Sequence, residues 1–393
     1  MYCPGEHRTR AICIFVLCLA IIDYRICSAC KPDGANKKMN NNRIETPKII
    51  SGYWENWRGA INPGGGGNHN PSYYKNDIAS TNHVLYSFIT LDRRPNPDNP
   101  GTKYWDGKAL YESMTAANVI DVMTETDPHW ENPYEWQRSK IAALIDATRD
   151  NNAKFIWAIG GWSDLTKTLH EDQIPLFVDQ CIELLKLTGD GIDFDWEHLS
   201  QDSEIVDEQR TVLAQTMLAL RTGLDKEGME DKQVGYTTRF NAFWNNDTKP
   251  DNYTYFASDG EGLTVEKTLN DLGSSLNAIV NWVHIMAYDV PPTDLNCPDR
   301  FTLSTYVGVF DAFAKFVDKD KIIMGFEPGH QAAGGLWEGT EVDKDVINYV
   351  QERNYGGVMF WAMNEHASSP ETGVTGQNAQ DLAKYANGIF NRT

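Results

Sequence analysis

The chain has 393 residues, 41% of them hydrophobic and 11% aromatic, enough apolar material for a sizeable core and against a disordered chain. Its formal net charge is −20, with a sequence pI of about 4.8. That acidity argues against nucleic acid and anionic membrane surfaces as partners and is compatible with a neutral or cationic polymer.

The N-terminus reads as a secretory signal. Arg8 and Arg10 give a basic start, and Ala11–Ile22 is an apolar run of twelve residues, too short to span a bilayer. Residues 1–29 are expected to be a signal peptide, residues 30–47 a polar linker and residues 48–393 a single catalytic barrel. A secreted, extracellular protein and a monomer are expected. Removal of the signal would leave Cys30, Cys181 and Cys297, an odd number without metal-ligand spacing. Asn246, Asn252 and Asn391 open N-glycosylation sequons.

From Lys48 onward, short β-branched runs alternate with amphipathic segments. Strands are predicted at Ile49–Tyr53, His83–Thr90, Lys154–Ile159, Gly191–Asp195, Gln233–Phe240, Ile279–Tyr288, Lys321–Gly325 and Gly357–Trp361. Helices are predicted at Ser139–Asn151, Gln173–Leu187, Glu204–Lys226, Val307–Val317, Asp343–Arg353 and Ala379–Ile389. In the third of these, Val206, Val212, Leu213, Met217 and Leu220 recur at helical spacing. Eight strands separated by helices fit the α/β class, as a closed parallel (β/α)8 TIM barrel rather than an open sheet. Gly64–Gly67 lacks the Lys-Ser/Thr of a phosphate loop, and the first βα turn carries no dinucleotide fingerprint.

The fourth strand carries the chemistry. Residues 190–197 read Asp-Gly-Ile-Asp-Phe-Asp-Trp-Glu. Side chains alternate along a strand, so Asp193, Asp195 and Glu197 share one face, and Ile192, Phe194 and Trp196 the other. Acids this close do not all stay ionised, so at least one must be held protonated. A protonated acid beside anionic partners is what glycosidic bond cleavage uses. Barrel enzymes draw catalytic groups from strand C-termini, which puts Glu197 at the mouth and Asp195 and Asp193 successively deeper. Asp190 has the opposite parity and is expected to be structural.

The pattern Asp-x-x-Asp-x-Asp-x-Glu resembles the signature of family 18 glycoside hydrolases, the chitinases. Other stretches resemble the family in the same order: Ile50–Tyr53, Ala158–Gly161, Met286–Asp289 and Gly356–Trp361. The resemblance spans residues 48 to 390. It implies Glu197 as general acid, Asp195 and Asp193 as its supports, and Tyr288 as a donor to the substrate acetamido oxygen. It also implies a sugar site containing Tyr53, Gly161, Trp162, Met286, Asp289 and Trp361, with Tyr53 touching Asp193. The implied substrates are chitin or chitooligosaccharides, cleaved with retention and with the substrate's own N-acetyl group as nucleophile. No cofactor and no metal are expected. Trp54, Trp57, Trp162, Trp244 and Trp337 adjoin strand ends and are candidate sugar platforms, and Glu327 ends the seventh strand.

Two departures from the family pattern stand out. Ala158 replaces a usual serine, which would leave Asp193 one partner fewer or a water in its place. Only about thirty residues separate the last two strands, too few for the small α+β domain of many family members. A shallow, open cleft and endo cleavage are expected. The rival enzyme reading is an endo-β-N-acetylglucosaminidase on N-glycans. The rival from another class is a chitin-binding lectin, against which the complete acidic signature argues.

Overall fold

The computed structural model describes residues 47–56, 72–91, 115–124, 133–162, 169–197, 203–245, 260–289, 301–329, 331–332, 336–365 and 375–392. The expected signal peptide, nearly all of the linker, Gly64–Gly67, Trp57, Cys30, Cys297 and the sequons at Asn246 and Asn252 lie outside them.

Eight parallel strands close into a barrel in chain order: β1 (Ile49–Glu55), β2 (His83–Ile89), β3 (Lys154–Gly160), β4 (Gly191–Asp195), β5 (Gln233–Arg239), β6 (Trp282–Met286), β7 (Ile322–Phe326) and β8 (Gly357–Phe360). Around them are α1 (Ser72–Lys75), α2 (Ala116–Thr124), α3 (Pro133–Asp150), α4 (Ile174–Leu187), α5 (Ser203–Lys226), α6 (Glu261–Asp271), α7 (Leu276–Ile279), α8 (Leu303–Phe313), α9 (Thr340–Arg353) and α10 (Thr375–Phe390). This is the expected (β/α)8 barrel. None of the described helices is long and apolar enough to cross a membrane.

Parity along the strands divides the core in two. Outward residues such as Ile50, Val84, Trp157, Phe194, Tyr236, Ile285, Met324 and Val358 pack against the helices in one continuous core. The apolar stripe predicted on α5 is buried there, with Val206, Val212, Leu213, Met217 and Leu220 all inside. Inward residues Tyr53, Leu85, Phe88, Ile156, Ala158, Trp282, Met286, Tyr288, Ile323 and Met359 fill the barrel. The inner face is not wholly apolar, because Ser51, Asp193, Thr237 and His284 are also buried in it. The segment between β7 and β8 contains α9, and its described residues form loop and helix only.

The sixth strand begins later than predicted. The run from Ile279 starts as the end of the short helix α7, which Ser275 caps by accepting from the Ala278 N–H, and β6 begins at Trp282. Asp190 is structural as expected: its Oδ2 accepts from the Phe155 N–H at 2.8 Å, tying the starts of β3 and β4 together.

Candidate active site

Register fixes what surrounds the carboxylates. Asp193 lies opposite Ala158 on β3 and Gly235 on β5, and Asp195 opposite Gly160 and Thr237. The small neighbours of Asp193 open a space that other side chains enter. Trp282, opposite Gly235 on β6, reaches across that glycine and donates Nε1–H to Asp193 Oδ1 at 2.7 Å. A Cβ on Gly235 would stand 2.1 Å from the Trp282 Nε1 and 2.3 Å from Asp193 Oδ1, so only glycine permits the contact. Asp193 Oδ2 accepts from the hydroxyls of Tyr53 and Thr237, each at 2.8 Å. The expected deficit at Ala158 is therefore met by the Trp282 indole and the Thr237 hydroxyl.

A polar chain continues through the barrel. His284 Nδ1 is 3.0 Å from Thr237 Oγ1, and His284 Nε2 is 2.9 Å from Ser51 Oγ. Because Thr237 gives its own proton to Asp193, its oxygen is left to accept from the His284 Nδ1–H. Burial pushes the Asp193 carboxyl up. The nearby His284 and the hydroxyls of Thr237 and Tyr53 outweigh it and hold Asp193 below its ordinary range.

Asp195 and Glu197 go the other way. Burial, then the charges of Glu197 and Asp193, push Asp195 well above its ordinary value, against an opposing pull from Arg239. Asp195 Oδ1 is buried with no hydrogen-bond partner, which suits an atom awaiting a ligand. Glu197, at the mouth with 11% of its side chain exposed, is also raised, by burial first and by Asp289 and Glu261. Its Oε2 accepts from Arg239 Nη2 at 3.0 Å.

The strand-end glycines of β3 make the approach possible. Gly160 has φ +110°, and a Cβ there would fall 1.9 Å from the Asp195 carbonyl oxygen. That oxygen accepts from the Gly161 N–H at 2.7 Å. Gly161, with φ +76°, abuts the Phe88 ring.

The remaining predicted residues gather at the same mouth. Tyr288 is buried, its hydroxyl 4.0 Å from Met359 Sδ, and burial and the charge of Asp195 keep that hydroxyl protonated. Trp361 stacks on Phe88 with ring centroids 5.6 Å apart and lies 5.5 Å from the Tyr53 ring. Met286 lines the inner core with them. Asp289 takes a left-handed backbone, φ 57°, and its N–H donates to Gln331 at 3.0 Å. Glu327 is buried beside it, and burial followed by the charge of Asp289 pushes it up to about 11. Trp162 is 62% exposed.

Trp54 and Trp244 are not platforms. Trp54 points outward and meets the Tyr74 ring edge-on at 4.8 Å, and Trp244 packs against Phe240. Trp337 is half-buried and gives its N–H to Asp343 at 2.9 Å. Three residues that sequence reasoning missed, Thr237, Arg239 and Trp282, come from β5 and β6. Their signal was inward parity at the level of the carboxylates, visible only once strand register is known. Among the described residues no group of three or more His, Cys, Asp or Glu is placed to hold a metal.

A parallel barrel with a graded carboxylate ladder at the C-terminal end of β4 defines a glycoside-cleaving class of barrel proteins. The family model for glycosyl hydrolases family 18 matches residues 49–333, and the chain belongs to that family. Solved structures with the same fold include chitinase ChiA74 from Bacillus thuringiensis, at 16% identity and TM-score 0.53 over 88% of this chain and 71% of that one. The Ostrinia furnacalis Group IV chitinase aligns at 12% identity and TM-score 0.52, over 87% of this chain and all of that one. A family 18 chitinase from Cycas revoluta in complex with (GlcNAc)3 aligns at 14% identity and TM-score 0.51, over 87% and 100%. At these identities the likeness is one of fold. Comparison with curated protein sequences gives no match.

Proposed function

We propose that the protein is a secreted chitinase that cleaves β-1,4-linked N-acetylglucosamine polymers within the chain and with retention of configuration. The observation that carries this is the ladder of Asp193, Asp195 and Glu197 beneath Tyr288 in a family 18 barrel. The chitinase complexed with (GlcNAc)3 supports the substrate class. The apolar run Ala11–Ile22 behind Arg8 and Arg10 supports export. The short β7–β8 segment supports an open cleft, and with it internal cleavage.

The chemistry follows from the environments. Glu197, protonated, gives its proton to the glycosidic oxygen as the bond to the anomeric carbon breaks. The acetamido oxygen of the same sugar attacks that carbon, and positive charge develops on the resulting oxazolinium ring. Asp195 accepts from the acetamido N–H through its unpartnered Oδ1 and offsets that charge. Tyr288 donates to the acetamido oxygen, and Trp361 and Asp289 hold the sugar. Glu197, now anionic, takes a proton from water as the water oxygen attacks the anomeric carbon and the bond from that carbon to the acetamido oxygen breaks, which restores the acetamido group and the acid and gives net retention.

The test is product analysis on chitohexaose, by anomer and length, beside release from a high-mannose glycopeptide. β-anomeric products of several lengths from chitohexaose are expected. Release from the glycopeptide alone would assign the protein to N-glycan processing instead. Glu197→Gln removes the proton donor with little change in volume, so turnover should fall by at least about 100-fold while oligosaccharide binding persists. Binding without turnover in the unaltered protein would make it a lectin.

A further inference from the structure

Arg239 forms an ion pair with Glu197, the outermost acid of the ladder. It follows Thr237 by two residues on β5, so it shares that residue's inward face. The β4–β5 register pairs Asp193 with Gly235 and Asp195 with Thr237. Two residues further along, the same register brings Arg239 beside Glu197, and Arg239 Nη2 lies 3.0 Å from Glu197 Oε2. Only 14% of the Arg239 side chain is exposed, against 11% for Glu197, so the pair is sheltered from water and weakly screened. The surrounding groups oppose it. Asp195 faces Glu197 from the same strand, Tyr288 and Asp289 from the end of β6, and Glu261 from the start of α6. Glu327, at the end of β7, stands behind Asp289.

We propose that Arg239 is a positioning residue for the reaction above: its guanidinium clamps Glu197 Oε2, leaves Oε1 as the oxygen that carries the proton, and offsets the charge that Glu197 acquires on giving that proton up. The proposal rests on the glycosidase reading of Glu197. A charge-assisted bond to one carboxylate oxygen fixes the carboxyl plane and strengthens the acid, because the donor favours the ionised form. Loss of the guanidinium is felt at Glu197, through both the bond and the charge, and at Asp195 through the charge.

The experiment compares the pH dependence of kcat/KM on chitohexaose for the unaltered protein, R239M, R239Q and R239K, each first checked for folding by circular dichroism. Loss of the cation should let Glu197 stay protonated to higher pH, moving the basic limb of R239M and R239Q upward by about one pH unit or more. R239K keeps the charge but not the fork, so its limb should stay near the original while kcat falls. A merely structural arginine would lower kcat in every variant without moving the limb, and that result overturns the proposal. The 13C carboxyl resonance of Glu197, assigned by its absence in E197Q, gives a second reading in the resting protein. Its midpoint should rise in R239M and R239Q, and an unchanged midpoint counts against the proposal whatever the substrate. Failure of the unaltered protein to cleave chitohexaose or glycopeptide would remove the function above while leaving this titration decisive for Arg239.

Discussion

Trp282 settles how the inner carboxylate stays satisfied without a serine on β3. A buried carboxylate needs donors on both oxygens, and Asp193 finds them in Tyr53, Thr237 and Trp282. Trp282→Phe keeps most of the ring volume and deletes the N–H. It should cost about 1–3 kcal/mol in urea denaturation at pH 7. Ala158→Ser adds a hydroxyl where both oxygens are already engaged, so it should shift the pH–rate profile less than Trp282→Phe does. The larger shift in Ala158→Ser would show that the indole is not the working partner. The sign of the acid dependence follows from the lowered Asp193. Its contribution to stability is present above the unfolded value near 3.9 and is lost as pH falls through its lower folded value. Trp282→Phe should therefore lessen the loss of stability on acidification below about pH 4.

At the scale of elements, the seam between β3 and β4 is the least forgiving. Gly160→Ala would need a left-handed residue with its Cβ 1.9 Å from the Asp195 carbonyl oxygen, which forces the strands apart. A loss of at least about 3 kcal/mol is expected, in the tail of single-substitution effects, with activity falling because Asp195 moves. A stable, active variant would show that the seam tolerates separation. The strands were legible because buried parallel strands read as short apolar runs, and the ladder because its members lie on one strand two residues apart. The helix α6 was not, since Glu261–Asp271 carries a glycine, two threonines and few apolar residues. Arg239, Thr237 and Trp282 escaped for a different reason: their partners are forty or more residues away, and pairing across strands is set by register. Two of the five candidate platforms, Trp54 and Trp244, turned out to be packed because position near a strand end does not say which way a side chain turns.

Over the whole molecule, the net charge of −20 is joined by acids that the fold holds above their ordinary values: Asp195, Glu197, Glu327 and Asp343. Each binds a proton more tightly folded than unfolded. Their contribution is complete below the unfolded values near 4 and is lost as pH rises through the folded ones. The protein should therefore have a higher Tm near pH 5 than near pH 8. Glu327, pushed up to about 11, offers a single-site check. Glu327→Gln keeps a neutral side chain at every pH. It should raise Tm at pH 8 relative to the unaltered protein and do little at pH 4. A uniform effect across that range would show that Glu327 does not set the slope.

The junction of the first and last strands carries a consequence for how the protein is made. Tyr53 on β1 and Trp361 just past β8 meet at one site, and Asn364 binds the backbone of Glu55 through both ends of its amide at 2.9 Å. These contacts join residues some three hundred positions apart. Contacts of such separation form late in folding. A growing chain thus carries Glu197 long before the barrel closes around it, and hydrolytic competence should appear only when synthesis has passed residue 364. Activity in a stalled or truncated chain would place the closing of the barrel earlier.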